Sequence, residues 1–249
     1  MSNTLAIIGG TGLTQLEGLT ILQAHDVYTP YGRPSAPVLE GVIEGMRVLF
    51  LARHGHPHTI PPHKVNYRAN IWALQSLNAT DIIGINACGA ITKSVLDAQL
   101  VVPDQILDYT WGREHTFFDG TGDAVQHVDM SNPYSASLRE LLIDGAQSSD
   151  IDIVKQAVYG VTQGPRLETV AEITRMELDG CDLVGMTGMP EAALARELKM
   201  QYASLCVLVN PAAGKGHKVI TLKDINEAVA NGMVNVLAVL RKLLEAYHY

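Results

Sequence analysis

Short apolar runs alternate with amphipathic stretches along most of the chain. The runs are rich in β-branched residues, and several lack the polar alternation of a half-exposed strand, so they predict buried strands. The predicted strands are Leu5–Ile8, Val38–Ile43, Met46–Ala52, Asp81–Asn86, Leu100–Leu107, Ile153–Val161, Leu183–Met186 and Ala203–Val209. Strands of this kind require a sheet that is covered on both faces.

Helical periodicity appears between these runs. The predicted helices are Val65–Leu77, Ala136–Gln147, Val170–Leu178, Pro190–Leu198 and an amphipathic C-terminal helix that begins at about Leu222. The alternation predicts a three-layer α/β fold, and the uniform composition predicts a single domain over residues 1–249. The segment Thr110–Pro133 is long for a structureless connection, so we expect it to line a site or an interface.

Composition narrows the class of partner. The net charge of −8 argues against nucleic acid or an anionic membrane as the main partner, because both favour a broad basic surface. No apolar stretch approaches the ~20 residues of a membrane span, and no basic leader segment precedes the first strand. Cys88, Cys181 and Cys206 are far apart, which predicts reduced thiols and a soluble, cytoplasmic protein.

The segment Arg53–His58 concentrates basic side chains directly after a predicted strand. Its three histidines alternate, as one face of a metal site would require. However, Pro57 disfavours regular strand pairing, no carboxylate stands at ligand spacing, and Arg53 would repel a metal cation. Because a guanidinium suits phosphate oxygens, the segment predicts an anion site, with solvent-exposed loop histidines as the alternative.

Two other strand ends are built from small residues. Gly9–Gly12 could offer backbone N–H groups to an anion or form a purely structural turn. A dinucleotide-binding fingerprint would need a glycine at Gln15, so that function loses support. Asn86–Ala90 permits either close backbone approach to a ligand or tight packing. Cys88 has no partner base nearby in sequence and is interpreted as structural.

Further strand ends carry hydrogen-bonding side chains. Thr169 and Glu172 have the spacing of a capping box, which leaves Glu168 free to accept from a ligand N–H or to remain solvated. Thr187 supplies a hydroxyl where a strand turns into a helix. Asn210 offers a donor and an acceptor after the last strand, or forms a simple Asx-turn.

Taken together, these strand ends resemble those of the trimeric purine nucleoside phosphorylase and 5'-methylthioadenosine phosphorylase family. The matching motifs are Ile7–Leu13, Leu51–Gly55, His58–Ile60, Lys64–Tyr67, Ala69–Leu74, Ala87–Gly89, Gly164–Arg166, Met186–Thr187 and Pro190–Glu191. The resemblance implies a three-layer α/β/α nucleoside-phosphorylase-type fold with a mixed central sheet, assembled as a homotrimer. It also implies that inorganic phosphate attacks C1' of a purine nucleoside, without a metal or organic cofactor.

The resemblance also implies residue roles. Phosphate would be held by Thr11, Arg53, His54, Ala87 and Thr187. The nucleoside would be contacted by Asn86, Cys88, Gly89, Leu167, Glu168, Met186, Asn210 and Ala212, and by His127 from a neighbouring subunit. Asn210, Glu168 and His54 are the expected catalytic residues.

Base preference is expected to depend on Asn210 and Glu168. Adenine-preferring members resemble this chain but have aspartates where Asn210 and Ala212 stand, whereas 6-oxopurine enzymes have the asparagine and the glutamate. The amide can donate to O6 and accept from N7–H, while Glu168 accepts from N1–H. Leu167 stands where relatives have an aromatic residue.

The sugar end resembles the methylthioadenosine enzymes instead, through Arg53–His54, Lys64–Leu74 and His127. Combining this sugar pocket with a 6-oxopurine pocket predicts S-methyl-5'-thioinosine as the substrate. The alternatives are a general inosine/guanosine phosphorylase, a methylthioadenosine phosphorylase, a nucleosidase that uses water, and a non-catalytic purine-binding protein.

Overall fold

A computed structural model describes residues 3–13, 15–120, 124–216 and 221–247. Within these residues one mixed sheet contains eleven strands. The strands are β1 (Leu5–Gly9), β2 (Thr20–His25), β3 (Val38–Ile43), β4 (Met46–Ala52), β5 (Asp81–Ala90), β6 (Leu100–Val101), β7 (Gln105–Asp108), β8 (Ile153–Val154), β9 (Val158–Val161), β10 (Leu183–Gly185) and β11 (Gln201–Pro211). The helices are α1 (Tyr67–Ser76), α2 (Lys93–Leu96), α3 (Ala136–Ser148), α4 (Val170–Leu178), α5 (Gly188–Glu197) and α6 (Leu222–Ala246).

Helices cover both faces of the sheet, as the apolar runs predict. Leu5 and Ile7 of β1 belong to a core cluster that includes residues of α3 and α6. Ala6 and Ile8 belong to a second cluster, with residues of α1 and α5. Because successive strand residues point to opposite faces, this division confirms a three-layer α/β/α fold with a mixed central sheet.

Strand β5 changes neighbours along its length. Its first part pairs with β1 in parallel, up to Ile8 opposite Gly84. Its last part pairs with β10 in antiparallel fashion, while β11 stays beside it throughout in parallel. The sheet therefore opens beyond Gly84, where the carboxyl ends of β1, β4, β5 and β11 share one edge. Ligands of α/β folds bind at such openings.

Two of the predicted strands are wrong in extent. The run Leu100–Leu107 forms the separate strands β6 and β7, because Pro103 has no N–H to donate to a ladder. The run Ile153–Val161 likewise divides, since β8 pairs with β6 whereas β9 pairs with β7 and β10. Strand β2 was not predicted, because it lies at the sheet edge and is almost entirely exposed.

Local signals at the helix ends behave as predicted. Thr169 and Glu172 form the capping box of α4, with each side chain accepting from the other residue's backbone N–H. The described residues of Thr110–Pro133 contain neither helix nor strand, yet Arg113 within them is buried.

None of the helices in the described ranges is both long and apolar enough to cross a bilayer.

Candidate active site

A cavity of about 330 Å³ lies at the open edge of the sheet. The sequence-predicted residues that line it are Thr11, Arg53, His54, Asn86, Ala87, Cys88, Gly89, Leu167, Glu168, Met186, Thr187, Asn210 and Ala212. Its volume is typical of small-molecule sites. His127 is exposed and is not part of the lining, so its contact with a neighbouring subunit's ligand stays a prediction.

One wall of the cavity contains Arg53, which forms a buried ion pair with Glu191. Both residues are almost inaccessible to solvent. Arg53 Nε lies 2.9 Å from Glu191 Oε1, and Nη2 lies 2.7 Å from Oε2. Arg53 Nη1 donates to the Ile85 carbonyl at 2.8 Å. Burial alone disfavours the charge on Arg53, but the Glu191 carboxylate outweighs it and raises the pKa of the guanidinium. The guanidinium of Arg53 therefore stays protonated, with Glu191 as its counter-charge.

Glu191, the partner of Arg53, was not singled out by the sequence patterns, although it falls within a motif of the family resemblance. It lies in the first turn of α5, where an acidic residue is ordinarily explained by the helix dipole. Its partner Arg53 is far away in sequence, and no local spacing links the two.

The glycine-rich turn packs directly against this ion pair. A Cβ atom on Gly10 would lie 2.5 Å from the Ile85 carbonyl oxygen and 2.9 Å from Arg53 Nη1. Arg53 N also donates to the Gly9 carbonyl at 2.9 Å. The turn thus needs glycine for close approach, and it carries Thr11, which is half-buried, to the rim of the cavity.

We expect Gly10→Ala to lower the free energy of unfolding by about 1–3 kcal/mol, because the clashing carbonyl belongs to a central strand and cannot move freely. Urea denaturation measures this loss. Gly89→Ala is the matched control, since a Cβ there meets neighbours only at 3.4 Å or more. Equal losses in the two variants would contradict the steric explanation.

His54 presents an unprotonated nitrogen to the cavity. Its Nδ1 lies 2.8 Å from the Ile60 carbonyl oxygen, and since a carbonyl only accepts, Nδ1 carries the hydrogen and Nε2 is the acceptor. Burial, together with the charge on Arg53, lowers the pKa of His54 to about 4. His58 stacks on this ring with 4.4 Å between centroids and also lines the cavity. The sequence had assigned His58 no role.

Thr187 and Asn86 form a hydrogen-bonded chain beneath the cavity. Thr187 Oγ1 donates to Asn86 Oδ1 at 2.8 Å. Asn86 Nδ2 in turn donates to Ser204 Oγ at 3.1 Å and to the Gly84 carbonyl at 3.2 Å. The Asn86 amide is therefore occupied by protein partners, and it supports Thr187, which directly precedes the first residue of α5.

Glu168 and Asn210 add a carboxylate and an amide to the lining of the cavity. Glu168 Oε1 accepts a 2.6 Å hydrogen bond from Thr162 Oγ1. Asn210 Nδ2 donates to the Pro211 carbonyl at 2.7 Å, which defines the orientation of the amide and leaves its second N–H for another acceptor. The buried Cys88 thiol approaches the Asn86 carbonyl at 3.9 Å, in keeping with a structural role.

Cofactor ligands do not cluster around these side chains. The ranges that the structure describes contain no group of three or more His, Cys, Asp or Glu residues arranged to hold a metal ion. What the cavity lining does combine is a protonated arginine, a neutral histidine, a glutamate and an amide. This arrangement suits an elongated ligand that is bound beside an anion and carries a polar heterocycle.

Comparisons with known proteins agree with this chemistry. The model of the phosphorylase superfamily matches residues 4–245. A probable S-methyl-5'-thioinosine phosphorylase of Pseudomonas syringae is 54% identical over 241 residues, which cover 97% of this chain and 98% of the relative. A probable 6-oxopurine nucleoside phosphorylase of Thermococcus kodakarensis is 39% identical, over 97% and 91% of the two chains.

A solved structure is similar throughout. Methylthioadenosine phosphorylase from Schistosoma mansoni in complex with adenine has a TM-score of 0.94 and 31% identity, covering 98% of this chain and 91% of that one. The family resemblance seen in the motifs is thereby confirmed. The chain belongs to the phosphorylase superfamily.

Proposed function

We propose that the protein catalyses the phosphate-dependent cleavage of S-methyl-5'-thioinosine to hypoxanthine and 5-methylthioribose 1-phosphate. The observation that carries the proposal is that Glu168 and Asn210 line the same cavity as Arg53 and His54. Relatives named as probable S-methyl-5'-thioinosine phosphorylases, which are 51% and 54% identical over 97% of this chain, support the choice of substrate.

The phosphate end supplies the nucleophile. A phosphate oxygen forms a bond to C1' while the bond from C1' to N9 of the purine breaks, and positive charge develops on the sugar ring. A phosphate dianion held by Arg53 stabilises that charge and is oriented for attack. Thr11, Thr187 and the Ala87 backbone surround the same end and supply further polar groups. The reaction requires phosphate as co-substrate and no metal or organic cofactor.

The base end stabilises the leaving group. The electrons of the broken bond enter the purine, and a proton taken up at N7 from solvent neutralises the departing base. The Asn210 carbonyl oxygen accepts from N7–H, while the amide hydrogen that is not bonded to Pro211 donates to O6. Glu168 accepts from N1–H, which a 6-oxopurine has and adenine lacks.

A general 6-oxopurine phosphorylase is the second candidate, favoured by the Thermococcus kodakarensis relative. Parallel assays of methylthioinosine, methylthioadenosine and inosine, each with and without phosphate, separate the possibilities. We expect methylthioinosine with phosphate to give the highest kcat/KM. Equal turnover of inosine would favour the general enzyme, and undiminished cleavage in phosphate-free buffer would identify a nucleosidase and refute the phosphorolytic proposal.

The proposal extends to assembly and location. A homotrimer in the cytoplasm would allow the exposed His127 of one subunit to reach the sugar 5'-substituent in another. Three buried and unpaired cysteines, Cys88, Cys181 and Cys206, support a reducing compartment. Light scattering of the purified protein measures the mass, and a monomeric mass with full activity would refute the shared site.

Phosphate is expected to raise the pKa of His54. The free protein holds that pKa at about 4, mainly through burial, so the ring is neutral at pH 7. An anion near Nε2 stabilises the imidazolium, and the pKa must then increase. Titration by NMR with and without saturating phosphate measures the shift, and His54→Gln assigns the resonance. A pKa that phosphate leaves unchanged would remove His54 from the phosphate site.

A further inference from the structure

Thr162 donates a hydrogen bond to the base-end carboxylate of Glu168, although Thr162 itself lies outside the lining of the active-site cavity. Thr162 directly follows β9, and both its backbone N–H and its backbone carbonyl are hydrogen-bonded. Thr162 N donates to the Gly185 carbonyl at 2.8 Å. Its carbonyl accepts from Arg113 Nη2 at 3.1 Å. The backbone position that carries the hydroxyl is therefore well defined.

Arg113 holds the backbone at Thr162 through several hydrogen bonds. Its side chain is buried and also donates to the Gln163 carbonyl at 2.9 Å, to the Tyr67 hydroxyl at 3.2 Å and to the Met189 carbonyl. A buried guanidinium that donates to several backbone carbonyls fixes the position of the chain segments that carry those carbonyls. Arg113 thus affects the site indirectly, by holding the end of β9 beside Glu168.

The direction of the Thr162 hydrogen bond follows from its geometry. Oγ1 lies 2.6 Å from Glu168 Oε1 and 3.3 Å from the Gly185 carbonyl oxygen. The single hydroxyl hydrogen goes to the nearer acceptor, and 2.6 Å is typical of a hydroxyl that donates to a carboxylate. Glu168 is therefore held as an acceptor, with rotation of its carboxylate restricted.

Without the hydrogen bond from Thr162, the Glu168 side chain could turn toward a neighbouring cavity. It forms part of the wall between the active-site cavity and a second cavity of about 330 Å³. The second cavity is also lined by Thr162 and by Arg166, a cation that interacts with Glu168 through space. A half-buried glutamate loses side-chain entropy when it is held in one orientation. The hydroxyl opposes both this disorder and the attraction of Arg166.

We propose that Thr162 is a specificity-determining positioning residue, whose hydroxyl holds the Glu168 carboxylate ready to accept from N1–H of a 6-oxopurine. The inference rests on the proposed function, which makes Glu168 the contact to N1. A base with a lone pair at N1, such as adenine, has no hydrogen to donate there and gains no hydrogen bond from the held carboxylate. Thr162 thus contributes to base selectivity without touching the base.

The test compares Thr162→Val, which removes the hydroxyl, with Thr162→Ser, which keeps it. We expect Thr162→Val to lower kcat/KM for methylthioinosine about 10- to 100-fold, the effect of losing a hydrogen bond to a charged group. Methylthioadenosine cleavage and the phosphate KM should change less than about twofold, because neither uses N1–H. Thr162→Ser should restore the selectivity ratio to near the wild-type value.

Thr174→Val is the matched control, since its exposed hydroxyl donates within α4 to the Val170 carbonyl. It should leave both substrates unaffected. Calorimetric binding of hypoxanthine and adenine provides a second measurement, in which Thr162→Val should weaken hypoxanthine alone.

The outcomes distinguish this inference from the proposed function. A wild-type enzyme that cleaves methylthioinosine, combined with an unchanged selectivity ratio in Thr162→Val, overturns the inference and leaves the function intact. Parallel losses for both nucleosides and for phosphate would show a merely structural role and also overturn it. A wild-type protein without phosphate-dependent methylthioinosine cleavage refutes the function, and the inference with it.

Discussion

Glu191→Gln is expected to lower the free energy of unfolding by about 3 kcal/mol, because it leaves the Arg53 guanidinium buried without a counter-charge. Arg53 has no solvent exposure, so water cannot replace the lost carboxylate. The amide retains one acceptor oxygen but turns an N–H toward a cation that only donates. Chemical denaturation of wild type and variant measures the difference.

The matched control is Glu245→Gln, the same change in the exposed pair that Glu245 forms with Lys242. Exposed pairs contribute about 0–1 kcal/mol, so this variant should be nearly as stable as wild type. The double variant Arg53→Met with Glu191→Leu removes both charges and should recover stability while abolishing phosphate-dependent turnover. Equal stability of Glu191→Gln and Glu245→Gln would contradict the buried-pair explanation.

Asn210→Asp is expected to shift base preference toward 6-aminopurines. A carboxylate cannot donate to O6 and repels it, whereas it can accept from a 6-amino group. Mismatched polar groups in a site that recognises a base by hydrogen bonds can cost up to ~10⁴ in discrimination. The carboxylate also replaces the N–H that now bonds to the Pro211 carbonyl, so some loss of overall activity accompanies the shift. The kcat/KM ratio of methylthioadenosine to methylthioinosine measures it.

Asn226→Asp provides the control, because Asn226 also lines the cavity but stands on α6 and has no role in the proposed recognition of the base. It adds the same negative charge to the site. The selectivity ratio should therefore change only in Asn210→Asp. A similar ratio change in both variants would attribute the effect to net charge and remove Asn210 from base recognition.

Features that local sequence encodes could be predicted, and features that depend on distant partners could not. The capping box of α4 needs only residues within one turn, so Thr169 and Glu172 were sufficient. Buried strands such as β4 are evident from their apolar runs. The exposed strand β2 has no such run, because its stability comes from pairing with β3 and not from burial.

The site shows the same division. Arg53 was recognisable because a basic residue directly follows an apolar strand. Its carboxylate partner, Glu191, is supplied by α5, and a glutamate in the first turn of a helix looks ordinary in sequence. Thr162 is a single hydroxyl residue at a strand end, with no motif to distinguish it. The residues that position a site are joined to it by contacts between distant parts of the chain. The residues that bind the ligand follow strand ends and can be recognised from the local sequence.

The pairing of β5 with β11 has a consequence for folding. Residues of β11 pair with residues of β5 that lie far earlier in the chain, such as Gln201 with Asp81 and Asn210 with Gly89. Closing so long a loop costs chain entropy before any contact offsets it, so such pairs form slowly compared with the neighbouring strands β3 and β4. Asn210 reaches the cavity only when this pairing is complete. During refolding, base recognition therefore becomes possible only after the most distant parts of the sheet have joined.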